Sequence, residues 1–419
     1  MTFTRVAFIF LLTGQLLSCG VVQHTPGPEA RIAAKTLAEQ AGSPGSDTGM
    51  RFQLFAKVFD QVRTLYVDEI DDVELMTAAA DGMRKAFPEP ANAAEEKLVV
   101  AAINGMLGSL DPYSAYLNNR SYRAMRDQTQ GEFGGIGLQV TKEGEFIKVI
   151  SPIDGTPAAQ AGMKSGDVIT HADGQPLGAM TLRDSVLLLR GPTGSRVLLT
   201  VKRADMKPFD VLIVRALIHI QSVRWSLEKG IGYVRISSFT EKATREFVDA
   251  VVTMRSQAGD ALQGIVLDLR NNPGGLLEQS VRISDELLER GNIVSTQSRV
   301  DRNNFEAQSG DIAAGLPIVV LVNNGSASAA EILAGALKDH GRAVLVGGRT
   351  FGKGSVQTII PFENENGLKL TTARYYRPSG KSVDGGIKPN ILVEQNPERE
   401  GDEQRERANL ELSRLAVAR

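Results

Sequence analysis

The run Ile318-Val-Val-Leu-Val322 has no polar residue in it, so as a strand it has to be covered on both faces. It is one of a series. From Val211 onward, strand-like runs at Gly232–Ile236, Gly264–Leu269 and Ile318–Val322 alternate with helical stretches at Thr240–Gln257, Leu276–Arg290 and Ser328–His340. Gly291 and Gly341 follow the last two helices as stop signals. This alternation predicts an α/β core, with further strands at Ala343–Val346 and Val356–Pro361.

Two other patterns precede the core. Phe52, Phe55, Val58, Phe59 and Val62 form one apolar stripe at helical spacing, which serves either as core or as a self-association surface. A second helix is predicted over Ala94–Leu107, and Asp111-Pro-Tyr-Ser114 reads as a turn. Around Gly131 the period changes. Short β runs at Ile136–Val140 and Glu145–Ile150 lead to a brief helix at Pro157–Gly162, a hairpin at Asp173-Gly174, an amphipathic helix at Leu182–Arg190 and a strand at Val197–Lys202. At 419 residues the chain is long enough for two or three domains.

The ends differ from the middle. Arg5, the apolar run Val6–Leu12 and Leu16-Leu-Ser-Cys19 have the layout of a secretory signal too short to span a bilayer. Cys19 is the only cysteine, so no internal disulfide is possible, and its place at the end of this segment marks it for lipidation. Gly/Pro/Ser-rich residues 20–50 read as a flexible tether with room for a short helix over Ala30–Ala41. The charged stretch 397–419 reads as a tail ending in a solvated helix. A formal charge of −2, with no basic block interleaved with aromatics, excludes nucleic acid as a partner.

The chemistry-bearing residues cluster late in the chain. Ser328 stands where a predicted strand passes through small residues into a helix, and helix N-termini favour negative charge. Ser328-x-x-Glu331 is equally a capping box, so on these residues alone a cap and a nucleophile both fit. Lys353 lies between two glycines just before a β-branched run, and a strand starting there would put residues 353, 355 and 357 on one side, where Lys353 and Gln357 could meet. Lysine acts as a base only when its ordinary pKa of about 10.4 is lowered, which burial can do. Asp268-Leu-Arg-Asn-Asn-Pro-Gly274-Gly275 follows a strand and opens a helix, and its glycine amides could hold an oxyanion. The four histidines, at 24, 171, 219 and 340, supply neither a Ser-His-Asp triad nor a zinc motif. Gly347-x-x-x-x-Gly352-Lys353 lacks the Ser/Thr a phosphate loop requires, and no cofactor or metal is expected.

Taken together, Ser-Ala-Ser328-Ala-Ala-Glu, Phe-Gly-Lys353-Gly-Ser-Val-Gln357 and the Asp-Leu-Arg-Asn-Asn-Pro-Gly-Gly stretch resemble the carboxyl-terminal processing, or tail-specific, serine proteases across about residues 50–395. The resemblance implies an α/β chain with a helical N-terminal region (51–129), a PDZ domain (130–205) and a β/α peptidase core of crotonase/Clp-protease-like fold (206–396). It implies Ser328, rather than Ser326, as nucleophile, Lys353 as base, Gln357 as the residue orienting it, and backbone amides of Gly275 and Ala329 as oxyanion donors. Ala330 stands where many members have Ser. Phe133-Gly134-Gly135-Ile136-Gly137-Leu138 resembles the PDZ loop that holds a peptide's terminal carboxylate while the peptide adds a strand. The implied partners are proteins or peptides with accessible C-termini, an adaptor or activator, and further copies of the chain. The implied location is the bacterial envelope: periplasmic and lipid-anchored, at the outer membrane in a Gram-negative source. A tail-binding scaffold whose core is inactive until a partner binds is the alternative.

Overall fold

A computed structural model describes residues 25–41, 50–90, 93–204, 206–308, 310–395 and 399–417. Cys19 and the segment read as a signal lie outside them. The chain divides into two units, residues 1–122 with 357–371, and 123–356 with 372–419.

The first unit is helical. Pro28–Gln40, Met50–Leu65, Asp72–Ala86 and Glu95–Leu110 are its helices, and Asp71 caps the third by accepting from Val73 N and Glu74 N. Phe52, Phe55, Val58, Phe59 and Val62 are each at most 1% exposed, so the phenylalanine stripe is core. Gly82 and Gly105 let the third and fourth helices touch backbone to backbone, since a Cβ on Gly82 would lie 2.5 Å from the Cα of Gly105. Leu368 and Leu370 complete this apolar cluster, and residues 115–117 pair antiparallel with 367–369. Within the segment read as a tether, the helix Pro28–Gln40 buries Ala30, Ala33, Ala34, Leu37 and Ala38.

The second unit holds two large β systems among its sheets. In the first, a six-stranded sheet runs in the order Val223–Glu228, Ile231–Ile236, Gly264–Asp268, Ile318–Val322, Ala343–Gly347 and Ile391–Leu392, with the first pair antiparallel and the rest parallel. Alternate residues serve opposite faces. Ile265, Leu267, Ile318, Val320 and Val322 pack in one cluster with residues of the helices Ala243–Ala258, Leu277–Asp285 and Ala329–Asp339. Val266, Val319 and Leu321 pack in another with Ala408 and Leu412 of the helix Glu403–Val417. The C-terminal helix expected to be solvated is therefore a packed layer. Its apolar positions recur four residues apart and were masked by the charges between them. Arg270 ties its start to the sheet, donating to Asp402 and to the fully buried carboxylate of Asp268 at 2.7 Å each.

The second system, between residues 138 and 214, is a sheet in the order Leu138–Glu143, Phe146–Pro152, Val168–Ala172, Arg196–Lys202 and Phe209–Val214, with Gln175–Pro176 beside the third strand. Helices Pro157–Gln160 and Leu182–Leu189 complete it. A two-stranded ribbon, Glu132–Gly135 against Ala216–His219, brackets the module in the chain. Buried Arg215 closes the end of the second helix by donating to the carbonyls of Leu188 and Leu189.

Candidate active site

Three adjacent parallel strands, Ile231–Ile236, Gly264–Asp268 and Ile318–Val322, deliver their carboxyl ends side by side, and the loops that follow them build the site. Side-chain hydrogen bonds shape the loop after Ile318–Val322. Ser326 is fully buried, and its Oγ donates to the carbonyl of Leu269 at 2.8 Å and accepts from Asn323 N at 3.0 Å. Ser328, two residues on, sits at φ 54°, ψ −116°, immediately before the helix Ala329–Asp339. Positive φ in a residue with a Cβ costs of order 1–3 kcal/mol and persists only where the surroundings impose it. Here Ser328 N donates to Glu331 at 2.9 Å, and Gly274 packs so close that a Cβ on it would lie 2.9 Å from that of Ser328. The two serines of Ser-Ala-Ser are thus unequal, one engaged within the loop and the other held in a strained conformation at a helix start.

Glu331 organises what surrounds that start. Its carboxylate is fully buried and accepts from Ser328 N (2.9 Å), Thr350 Oγ1 (2.5 Å), Gly352 N (2.8 Å) and Lys353 N (2.9 Å). The capping box visible in the sequence is only part of its work, because the same carboxylate pins the segment that carries Lys353. Four donors around one buried anion compensate its lost hydration. The strand after the lysine begins at Ser355, so strand alternation does not position Lys353; hydrogen bonds to Glu331 position its backbone. Gln357 belongs to the other unit, where its Nε2 donates to Thr371 Oγ1 at 2.9 Å.

The glycine pair is shaped by its neighbours. Asn272 Oδ1 accepts from Gly274 N (2.8 Å) while its Nδ2 donates to the carbonyl of Ile236 (2.9 Å). Gly275 has φ 140°, and a Cβ there would lie 2.4 Å from the carbonyl oxygen of Phe239. Phe239 N donates to the carbonyl of Gly274 and Leu276 N to that of Phe239, which sets Gly275 in a short parallel bridge. Gly274 N is therefore engaged. Among the described residues no protein acceptor takes up the N–H of Gly275 or of Ala329.

Tyr375 was missed in the sequence because nothing in Ala-Arg-Tyr-Tyr distinguishes one ring from the other. It is 4% exposed, and its phenol is near enough to Ser328 for that side chain to act on its ionisation. Burial pushes that phenol up to about 12, so it stays neutral. Thr350 was also missed. It donates to Glu331 and accepts from Ile387 N, joining two loops through one hydroxyl.

The six residues that resemble a carboxylate loop divide. Phe133, Gly134 and Gly135 lie in the ribbon, and the Phe133 ring lies under the Arg190 guanidinium at 3.9 Å. Ile136 is buried in the module's core. Gly137 takes φ 80°, where a Cβ would lie 2.3 Å from Thr156 Cβ, and Leu138 opens a strand at the sheet's edge. A cavity of about 700 Å³ extends from Phe133, Val186 and Arg190 to Ser238 and to Pro273, the residue before the glycine pair.

Peptidase family S41 matches residues 230–393, and a PDZ domain matches 148–203. A carboxy-terminal-processing protease of Bartonella bacilliformis is 46% identical over 81% of this chain and 74% of its own length. The chain belongs to this family. It is a serine-type peptidase of family S41 with a PDZ domain. A probable CtpA-like serine protease of Staphylococcus aureus is 38% identical over 71% of the chain, which spans 60% of that relative. Among solved structures, a photosystem II D1 C-terminal processing protease is 31% identical with a TM-score of 0.50, covering 81% of this chain and 92% of that one. A putative S41 protease from Bacteroides fragilis (TM-score 0.51, 16% identical) shares the fold, covering 87% of this chain and 97% of that one. Among the described residues no helix is long and apolar enough to cross a membrane, and no cluster of His, Cys, Asp and Glu is disposed to hold a metal ion.

Proposed function

We propose that this peptidase cuts proteins near their C-termini by a Ser328–Lys353 mechanism. The neutral lysine amine takes the Ser328 Oγ proton as Oγ bonds to the peptide carbonyl carbon. The N–H groups of Gly275 and Ala329 receive the oxyanion. The C–N bond breaks as the lysine returns the proton to the leaving amine, and water then hydrolyses the acyl-enzyme. Gln357 orients the lysine. The observation that carries this reading is the Glu331 carboxylate, which accepts from the backbones of both Ser328 and Lys353.

The PDZ module supplies selection, with Phe133, Gly134, Gly135, Ile136, Gly137 and Leu138 forming the loop for the terminal carboxylate. Leu138–Glu143 is an edge strand of its sheet, open to an added strand. Lipidation at Cys19 would hold the enzyme in the envelope, and adaptors or further copies of the chain are its expected partners.

The test uses an unfolded protein with a free C-terminus and the same protein with that terminus amidated. Ser328→Ala and Lys353→Ala should each abolish cleavage of both while keeping the thermal transition, and amidation should slow the unaltered enzyme. Near-normal turnover by either variant would refute the dyad, and equal rates on the two substrates would refute tail selection.

A further inference from the structure

We propose that Asp111, acting with Ser114 and Thr371, is a positioning residue that fixes which end of the Gln357 side-chain amide is offered to the reaction. The proposal rests on the reading of Gln357 as the residue that orients the base.

A glutamine amide is nearly symmetric in shape, and its oxygen and nitrogen face opposite ways only as their partners dictate. The partner of Gln357 Nε2 is Thr371 Oγ1, at 2.9 Å. A hydroxyl can both give and receive, so this contact alone does not fix the amide. The polarity comes from the next group along. Asp111 closes the helix Glu95–Leu110 in extended conformation, and its Oδ1 accepts from Tyr113 N (2.6 Å) and Ser114 N (2.8 Å). Its Oδ2 accepts from Ser114 Oγ at 2.8 Å. Burial pushes the Asp111 carboxyl up, but hydrogen bonds from Ser114, the Tyr113 backbone and Thr371 together hold it below the ordinary carboxylate value.

An ionised carboxylate only accepts. Ser114 therefore gives its single hydroxyl proton to Asp111, and its oxygen receives Thr371 N at 3.2 Å. Thr371 Oγ1 lies 3.5 Å from that Ser114 oxygen, beside the carboxylate, and Thr371 is among the groups that hold Asp111 low, so we assign its hydroxyl proton to the carboxylate. Its oxygen is then left to accept, which requires the NH₂ end of Gln357 on that side and turns the carbonyl end the other way. Ser114 and Thr371 are 8% and 4% exposed, so bulk water cannot substitute a reversed arrangement. The consequence suits a lysine base, whose nitrogen protons are all donors once it has taken the serine proton and which needs an acceptor beside it. Asp111-Pro-Tyr-Ser114, a simple turn in the sequence, thus acquires a second task.

The experiment is a double-mutant cycle on the full chain with the unfolded-protein substrate. Asp111→Asn keeps a side-chain oxygen for the Tyr113 and Ser114 amides but places a donor where the hydroxyls need an acceptor. It should lower kcat by about 10–100-fold with KM nearly unchanged. In a Gln357→Ala background the same change should alter kcat by less than about twofold, because the group it orients is gone. Thr371→Ser should retain activity, whereas Thr371→Val should behave like Asp111→Asn. This pair decides the matter if Asp111→Asn does not fold. An equal loss from Asp111→Asn in both backgrounds, or full kcat in Thr371→Val, would overturn the relay and leave the dyad standing. Full kcat in Gln357→Ala would overturn the role of Gln357 and the relay together.

Discussion

The loops around Ser328 and the loop of the PDZ module both hold irregular backbone in place, but by different means. Around Ser328, fully buried side chains do it: Glu331 gathers four donors, Asn272 bridges Gly274 and Ile236, and Ser326 joins two loops. Around Phe133–Leu138 the means are backbone pairing with Ala216–His219 and the close approach of Gly137 to Thr156, beside a large cavity and an open sheet edge. Where charge must develop on a small atom, preorganised donors are worth most. Where a chain must enter, an unpaired edge is worth more than a filled one. On the proposed function, the difference separates a site built for chemistry from one built for access.

Substitutions in the two loops should act in distinct ways. Ser328→Ala should reduce turnover by more than about a thousandfold without altering stability, as judged by product formation and thermal melting. Glu331→Gln places an NH₂ among the four donors. It should lower stability by about 1–3 kcal/mol in denaturant titrations and kcat by at least about tenfold. Unchanged stability would mean the carboxylate is not the organiser described. Gly137→Ala should reduce kcat/KM for a free-tail substrate about tenfold more than for its amidated counterpart. An equal reduction on both would place Gly137 outside tail binding.

Tyr375→Phe should have the smallest effect, a kcat loss of about 3–10-fold. It also carries a pH signature. The phenol's pKa is raised on folding, so its contribution to stability is complete below about 10, the unfolded value, and is lost as pH rises toward about 12. Melting curves should therefore show a steeper alkaline loss for the unaltered protein than for the phenylalanine variant.

Much of the core was legible because its signals are local. The apolar runs Ile265–Leu267 and Ile318–Val322 marked two strands, and the helix after Ser328 was announced by a capping residue and closed by Gly341. Boundaries were harder. The helix predicted to run to Arg290 ends at Asp285. The segment before Ser355 looked like strand but is held by a carboxylate twenty-two residues earlier. The C-terminal helix misled for a related reason: Ala408 and Leu412 form a narrow stripe whose value appears only when Val266, Val319 and Leu321 need a cover.

By itself the sequence determined that a serine stands at a helix start, that a lysine follows between glycines, and that an α/β core carries both, because composition and spacing over a few residues suffice for such statements. Tertiary structure decided the rest. It distinguished Ser326 from Ser328 by which hydroxyl is engaged within the loop, made Glu331 the common acceptor for two segments, and buried the Tyr375 phenol near Ser328. The physical reason is that hydrogen-bond donors and acceptors distant in the chain are matched only when packing removes water and leaves each buried group one partner to find.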